Sequence, residues 1–348
     1  MRASGKSRNV TMSDVARHAR VSRTAVSFVL AGRSDTSVSP QTRDRILDAV
    51  RDLGYRPNAG ARALAAQRSG LFGLITEIVT APFAVDVIKG AQERAWEDRK
   101  FLLIASSEDR ADMAEAAVEK LLEQRVEGLL YAATWHRAVQ VPKAAGEVPT
   151  VLVNCFDAEG RFPSVVPDEI GGGRRATERL LAAGHERIGF INLDPGIPAA
   201  VGRLEGYRQA LTDAGIHPDP DLVISGHATA DSGYDAAGRL LDLPDRPTAL
   251  FCGNDRMAMG AYDAVRERAL RIPEDIAIVG FDNQELIAAY LRPALTTVAL
   301  PFEEMGRTAV SLLGSLIAAG DQGKTDGQPI DTKVTIDCPL LERSSVRP

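Results

Sequence analysis

Cysteine is scarce in this chain. Cys155, Cys252 and Cys338 are far apart and odd in number, which argues against a disulfide framework and a thiolate zinc site; they read as small buried apolar groups. The five histidines have no metal-ligand spacing, and His185-Glu186 lacks the second histidine of a zinc-protease motif. There is no Gly-x-Ser-x-Gly elbow. Gly171-Gly172-Gly173 lacks the Lys-Ser/Thr that completes a phosphate loop, so it is expected to be the flexible start of a helix. No apolar run reaches the about 18 residues that span a bilayer. The opening MRASGKSRNV is charged without an apolar core, so no secretory signal is expected and the cytoplasm is the expected compartment. No catalytic constellation and no cofactor site emerges. No segment is of low complexity, although 319–329 (AGDQGKTDGQP) is expected to be a flexible loop. No leucine heptad follows Leu341, so a dimer is expected rather than a coiled-coil tetramer.

What is present is an ordinary globular composition, 45% hydrophobic and 25% charged, over 348 residues, enough for two or three domains. Charge is unevenly spread. Residues 1–70 hold 13 of the 41 Lys+Arg and 5 of the 47 Asp+Glu, a net of +8, leaving −14 on the rest. A basic head on an acidic body suits a protein whose head alone touches a polyanion; the plainer alternative is a solvated basic tail.

Helical periodicity and caps weigh against the tail. Thr11 caps a helix with Asp14 at its third position, and Val15, Ala16 and Ala19 share a face. Arg20-Val21 turns the chain, and Ser22 caps a second helix. There Val26, Val29 and Leu30 pack inward, while Arg23, Thr24, Ser27 and Phe28 face out; Gly32 is a candidate end. Ser39-Pro40 starts a third helix with the stripe Ile46, Leu47, Val50 and Leu53, ended by Gly54. Two short helices joined by a tight turn form a helix-turn-helix, whose second helix enters the major groove. Arg23 has the donor geometry for guanine O6 and N7, and Thr24 suits a base edge or a thymine methyl. The bland alternative for these residues is a solvated helix face. After Tyr55-Arg56-Pro57, Asn58 caps an alanine-rich stretch of about two turns, marginal on its own. Its Leu64 is open to two readings, a minor-groove wedge, or a plain linker with the leucine packed on the next domain.

From residue 70 onward, strand-like apolar runs (71–75, 101–105, 128–132, 150–153, 187–192, 248–252, 277–280) alternate with amphipathic helices (85–99, 113–124, 172–183, 204–214, 233–241, 257–269). Repeated β-α units imply parallel sheets, and about 275 residues are too many for one, so two lobes are expected. Ligands of such sheets bind at the carboxyl ends of strands. Polar groups gather there: Thr76 and Glu77, Ser106 and Ser107, Asp168, Arg203, Asn254 and Asp255, Asp282 and Asn283, with Phe83, Phe281 and Trp135 beside them. Each could instead be a cap or a turn residue, above all Asp255 before Met257 and Asp282 before Glu285.

The head stretch VTMSDVARHARVSRTAVSFVL and VSPQTRDRILDAVRDLGYRPNAGARAL, together with HERIGFI, GRLEGYRQAL, FCGNDRMAMGA, PEDIAIVGFDN and LTTVALPFEEMGRTAVSLL, resembles the lactose/galactose-repressor family over nearly the whole chain. That resemblance implies a helix-turn-helix head, a hinge whose leucine, here Leu64, wedges into the minor groove, and a periplasmic-binding-protein-like effector body. It also implies effector contacts at Arg203, Asn254 or Asp255, and Asp282, with Phe83 on the opposite wall, and effectors that are mostly sugars or sugar phosphates. There are departures. Arg20 stands at a turn position that is often glycine, and Phe28 where a basic or polar reader is common. Ala81-Pro82-Phe83-Ala84 replaces Asn-Pro-Phe-Phe, and Ala228 replaces an aromatic that follows Gly-Asp. Loss of that ring disfavours a flat aromatic effector.

The expectation is therefore a dimeric, cytoplasmic, non-enzymatic DNA-binding repressor controlled by a small molecule. A neutral saccharide is favoured, because Arg203 has few arginines around it. The rival is a sugar-binding transport protein or carbohydrate enzyme with an accessory head. The expected organisation is a helix-turn-helix domain over 1–56, a hinge over 57–69, and a two-lobed α/β body over 70–348. The lobes would be roughly 70–168 with 299–330, and 169–298 with 331–348. The candidate DNA contacts are Thr11, Ser22, Arg23, Thr24, Ser27, Phe28, Arg33, Asn58 and Leu64. The candidate effector contacts are Phe83, Ser106, Trp135, Asp168, Arg203, Asn254, Asp255 and Asp282.

Overall fold

The structure, a computed structural model, describes residues 10–30, 38–56, 68–80, 82–321 and 333–347, without the side chains of 82–84 and 321. The chain divides into two compact units, Met1–Gly70 and Leu71–Pro348.

The first unit holds helices α1 (Met12–Ala19), α2 (Arg23–Leu30) and α3 (Pro40–Asp52). Thr11 Oγ1 accepts from Asp14 N–H at 3.3 Å while Asp14 accepts from Thr11 N–H at 3.0 Å, a reciprocal capping box. Ser22 and Ser39 cap the next two helices by accepting from the N–H groups of Ala25 and Thr42. Arg20 turns the chain out of α1 in the left-handed region, at φ 53° and ψ 49°. Val15, Ala16, Ala19, Val26, Val29, Ile46 and Ala49 make the core. The stripe of α3 is thus Ile46, Ala49, Val50 and Leu53, not one that includes Leu47, which is 41% exposed. The i, i+3, i+4 spacing from Ile46 reaches Ala49 and Val50, and a neighbour one residue on lies about 100° round the helix.

The second unit alternates β1 (Leu71–Thr76), α4 (Pro82–Glu97), β2 (Phe101–Ser106), α5 (Ala111–Glu123), β3 (Leu129–Val139), β4 (Thr150–Asp157), β5 (Ser164–Pro167), α6 (Glu169–Ala182), β6 (Ile188–Asn192), α7 (Pro198–Asp213), β7 (Val223–Ser225), α8 (Ala230–Leu241), β8 (Ala249–Cys252), α9 (Asp255–Glu267), β9 (Ala277–Asp282), α10 (Glu285–Ala288), β10 (Thr296–Ala299), α11 (Phe302–Asp321), β11 (Lys333–Ile336) and β12 (Leu340–Leu341). One sheet has the order β11-β5-β4-β3-β1-β2 and is parallel throughout; the other has β12-β10-β9-β8-β6-β7, with only β12 antiparallel. Strand alternation sends residues to both faces of each sheet. Leu74, Leu130, Val151 and Val153 pack with α4 and α11, while Ile75, Leu129, Leu152 and Cys155 pack on the other side. In the second sheet Phe190, Phe251 and Val279 oppose Ile191, Leu250 and Ile278 in the same way. Apolar residues on both faces are what a parallel sheet clad by helices requires.

The last crossing between lobes corrects the expected boundary. Lys333–Ile336 pairs with β5 in the first sheet, so the chain enters the second lobe after Ile336 and not at 331. The glycine run lies at the start of a helix as expected, but its role there is close packing. Gly171, Gly172 and Gly173 lie inside α6, and a Cβ on Gly173 would overlap the backbone of Arg203, as one on Gly206 would overlap that of Ile170. These glycines let α6 and α7 pack backbone to backbone. The helix α11 also runs to Asp321, into the stretch expected as a loop; residues 322–329 of that stretch lie outside the described residues.

Candidate effector site and DNA-reading head

On α2, Arg23, Thr24 and Ser27 are exposed and Phe28 is half-buried. The turn residues Thr11 and Ser22 are exposed while serving as caps. Arg33, Asn58 and Leu64, and the expected Gly32 helix end, lie outside the described residues.

In the body, close packing of α6 on α7 brings Glu169 to Arg203. Arg203 is 2% exposed. Its Nε donates to Glu169 Oε2 at 2.8 Å, and its Nη1 donates to the Gly253 carbonyl and lies 3.7 Å from Asp282 Oδ1. The guanidinium carbon sits 3.6 Å from the ring centroid of Phe281, so an aromatic face supports the fork. Burial works to strip Arg203 of its proton, yet Glu169 and Asp282 outweigh it and hold the charge in place. Burial also acts against ionised Glu169, but Arg203 and His136 overcome it and keep the carboxyl below its ordinary range. At Asp282 the balance reverses: burial prevails over Arg203 and pushes the carboxyl up to about 6.

Asp255 and Asn254 hold this corner together. Asn254, not Asp255, caps α9: its side chain accepts from Met257 N–H at 2.8 Å and donates to the Ala228 carbonyl at 3.2 Å. Asp255 has no exposure. It accepts from the Thr297 hydroxyl at 2.6 Å and from Gln284 N–H at 2.7 Å, and burial, then the charge of Asp282, raises its pKa well above the carboxylate range. Gln284 also donates to Asp282 at 3.2 Å and is itself the residue before α10, so Asp282 is not that helix's cap. Asp282 has φ 103° and Asn283 φ 54°, a left-handed pair that turns the chain sharply at the end of β9.

The opposite wall is built by the first lobe. β3 does not end at Ala132, as its apolar run implied. It continues to Val139 with an irregularity in pairing between Ala132 and Arg137, the stretch that carries Thr134, Trp135 and His136. Such bulges re-aim side chains. Glu77, 4% exposed at the end of β1, anchors the bulge by accepting from Thr134 N–H at 2.8 Å and from Arg137. His136 then reaches the second lobe, its Nδ1 lying 3.3 Å from Glu169 Oε1.

The structure therefore brings Arg203, Asn254, Asp255 and Asp282 into one connected corner. Asp168 stands beside it as the cap of α6, accepting from Gly171 N–H at 2.9 Å. Trp135 is 49% exposed on the first-lobe bulge, next to His136 in sequence. Ser106 is not joined to this corner; its hydroxyl donates to the Glu77 carbonyl at 2.9 Å. The side chain of Phe83 is outside the described residues. Sequence reading missed Glu169 and His136. The signal for Glu169 was present in the glycines of α6 and in Gly202-x-x-x-Gly206, which mark a close helix crossing beside it. His136 had no signal, because nothing in the sequence marks the bulge. The three cysteines are buried and free, and burial pushes the Cys155 thiol up to about 12, so none is poised for thiolate chemistry.

A capped helix-turn-helix ahead of two mostly parallel sheets joined by three crossings, with a buried polar corner at strand ends, defines a ligand-responsive DNA-binding regulator. The chain belongs to the lacI family of bacterial regulatory proteins, whose profile matches residues 11–58, and a periplasmic binding protein-like domain matches residues 177–346. It is similar to catabolite control protein A of Priestia megaterium, 33% identical over 88% of this chain and 92% of that protein. It is similar also to the ribose operon repressor of Haemophilus influenzae, 34% identical over 87% and 90%. Among solved structures, the Lac repressor dimer bound to operator and the anti-inducer ONPF matches with a TM-score of 0.78 at 28% identity, over 97% of this chain and 99% of that one. The transcriptional regulator CelR–cellobiose complex matches at 0.65 and 33%, with the same coverage. The two curated relatives are named as a control protein and a repressor, not as enzymes. Among the described residues, no helix is long and apolar enough to cross a membrane.

Proposed function

We propose that the chain is a cytoplasmic, dimeric, non-enzymatic repressor that binds operator DNA through its basic heads and releases or tightens on it when a neutral saccharide fills the body. The observation that carries the effector class is the pairing of the Arg203 fork with Asp282 over the Phe281 ring. A donor set and an acceptor 3.7 Å apart suit vicinal hydroxyls, and the Phe281 ring beneath the guanidinium holds the fork in place. The ligand-bound relative with cellobiose and the ribose operon repressor support a carbohydrate.

The body has two lobes that the chain crosses three times, so a ligand bridging them changes their relative population of arrangements and biases the DNA-bound state; this is coupling between two sites through two global states. Arg203 and Asp282 contact the effector, with Asp168 and Trp135 at its edges and Phe83 and Ser106 on the first-lobe side. Asn254 and Asp255 hold Gly253, Gln284 and Asp282 in place. In the head, Arg23, Thr24, Ser27 and Phe28 face the groove, Thr11, Ser22 and Arg33 flank it, and Asn58 and Leu64 form the hinge that wedges the minor groove. A thermal-shift screen of mono- and disaccharides, followed by gel shift on the DNA upstream of the gene, tests the whole reading, because a ligand of the folded state raises its melting temperature. A saccharide that stabilises the protein yet leaves the gel shift unchanged would remove the regulatory role of the cleft.

A further inference from the structure

Arg203 is the kind of residue that receives phosphate. A guanidinium offers a planar fork that matches phosphate and carboxylate oxygens two at a time. In this chain the fork is already engaged from inside. Glu169, 5% exposed, takes Nε at 2.8 Å, and the Gly253 carbonyl takes Nη1. With Asp282 also 3.7 Å from Nη1, one buried guanidinium faces two carboxylates.

A second observation points the same way. Glu169 is ionised and can only accept, so the proton between it and His136 sits on Nδ1. The His136 side chain is 8% exposed, and its Nε2 has no hydrogen-bond partner among the described residues; the same holds for the nearby Thr134 hydroxyl oxygen on the same bulge. A buried polar atom left unpaired carries a desolvation penalty that a matching partner would relieve. His136 thus pins Glu169 against Arg203 from the opposite lobe and leaves its other ring nitrogen, Nε2, without a partner among the described residues.

We propose that Glu169, pinned by His136, is a specificity-determining residue that cancels Arg203 as an anion receptor, so that the cleft takes uncharged, hydroxyl-bearing effectors and rejects phosphorylated ones. The nature of the effector rests on the saccharide reading above, whereas the rejection of anions does not and is tested separately.

The decisive variant is Glu169→Gln in the full-length protein. The amide keeps the shape and still accepts from Arg203 Nε, but the nearer of the two balancing charges is gone. With inorganic phosphate as the probe, calorimetry at pH 7.5 is expected to show no binding to wild type at millimolar concentration and at least tenfold tighter binding to the variant. In parallel, the preference for D-ribose over D-ribose 5-phosphate, and for cellobiose over glucose 6-phosphate, should fall at least tenfold. Wild type that binds phosphate as tightly as the variant, in competition with a neutral sugar, overturns the proposal; so does a folded variant whose phosphate affinity does not rise. If the variant fails to fold, the wild-type measurement still decides, since phosphate binding in the cleft contradicts it and rejection of phosphate alongside acceptance of the neutral sugar supports it. If no saccharide binds wild type while phosphate still discriminates the two proteins, the saccharide reading fails and the charge-cancelling role stands.

Discussion

Glu169 joins Arg203 at 2.8 Å on one oxygen and His136 at 3.3 Å on the other, so a single buried carboxylate links α7 of the second lobe to the bulge of the first. Its energetics are those of a buried ion pair. Formation roughly balances desolvation against attraction, but removal of one member leaves the other uncompensated, at a cost of about 3–5 kcal/mol. Arg203→Ala is therefore expected to lower the stability of the body by about that amount in urea denaturation, besides abolishing the effector response. The double variant Arg203→Met with Glu169→Gln should recover most of the loss, because the stranded charge is gone and the volume is kept. A double variant no more stable than Arg203→Ala would show that the cost lies in packing on Phe281 instead.

The carboxyl of Asp282, pushed up to about 6 by burial, gives a pH signature. Its folded-state value lies above the unfolded one near 3.8, so its contribution to stability is fully present below about pH 4 and is lost as pH rises through about 6. Asp282→Asn removes that loss. The variant should gain in melting temperature relative to wild type between pH 4 and 6.5, with a constant difference above. Effector binding should run the other way. Hydroxyl donors prefer the ionised form, so wild-type affinity should rise through pH 6 and level off, and the Asn variant should show weak, pH-flat binding. Equal pH profiles for both proteins would exclude Asp282 from the contact.

Much of the architecture was legible because local signals agreed with one another. The caps at Thr11, Ser22 and Ser39, the turn at Arg20-Val21 and the inward residues of α1 and α2 could be read from residue type and spacing. The parallel sheets followed from apolar runs of strand length between amphipathic helices. Two kinds of feature were not readable. A strand's late residues carry no periodic signal once it bulges, so β3 was cut short at Ala132 and His136 was missed. Pairing across lobes is non-local, so Lys333–Ile336, a half-exposed strand, gave no indication that it returns to β5. The alternative reading of Asp255 as a helix cap fails for a similar reason, since the cap is Asn254. Adjacent polar residues at a helix start both suit a cap, and only burial against Thr297 and Gln284 separates them.

In the head, Arg23 is exposed at the first turn of α2, the end of a recognition helix that meets base edges. Arg23→Ala should cost about 1–3 kcal/mol on the cognate half-site and relax the preference at one base position. Competition binding against a panel of single-base operator variants measures this. A uniform loss across the panel would make Arg23 a phosphate contact. Because the acidic body repels the polyanion, log affinity of wild type should also fall with log salt by about 0.9 for each neutralised phosphate, and those phosphates should be contributed by the head.

Arg20 supplies the last test. It leaves α1 at φ 53° and ψ 49°, and its N–H returns to the carbonyls of Ala16 and Arg17 while Val21 N–H bonds Ala16 O at 3.0 Å. These bonds close the helix end only if the residue stays left-handed, which costs an L-residue about 1–2 kcal/mol. Glycine adopts that conformation without the Cβ penalty, but it loses more chain freedom on folding, a counter-effect of about 0.4–1 kcal/mol. The difference favours glycine, so Arg20→Gly is expected to stabilise the head by about 0.5–1 kcal/mol, seen as slower hydrogen exchange across α1 and α2 in the full-length protein. The substitution also removes an exposed positive charge at the turn. If Arg20 lies against the DNA backbone, operator affinity should drop and the salt slope should lessen by about 0.9 despite the firmer fold. A firmer head with unchanged salt slope would mean that this chain tolerates the strain without using the charge. A head that loses stability would show that the arginine side chain, not the backbone, holds the turn.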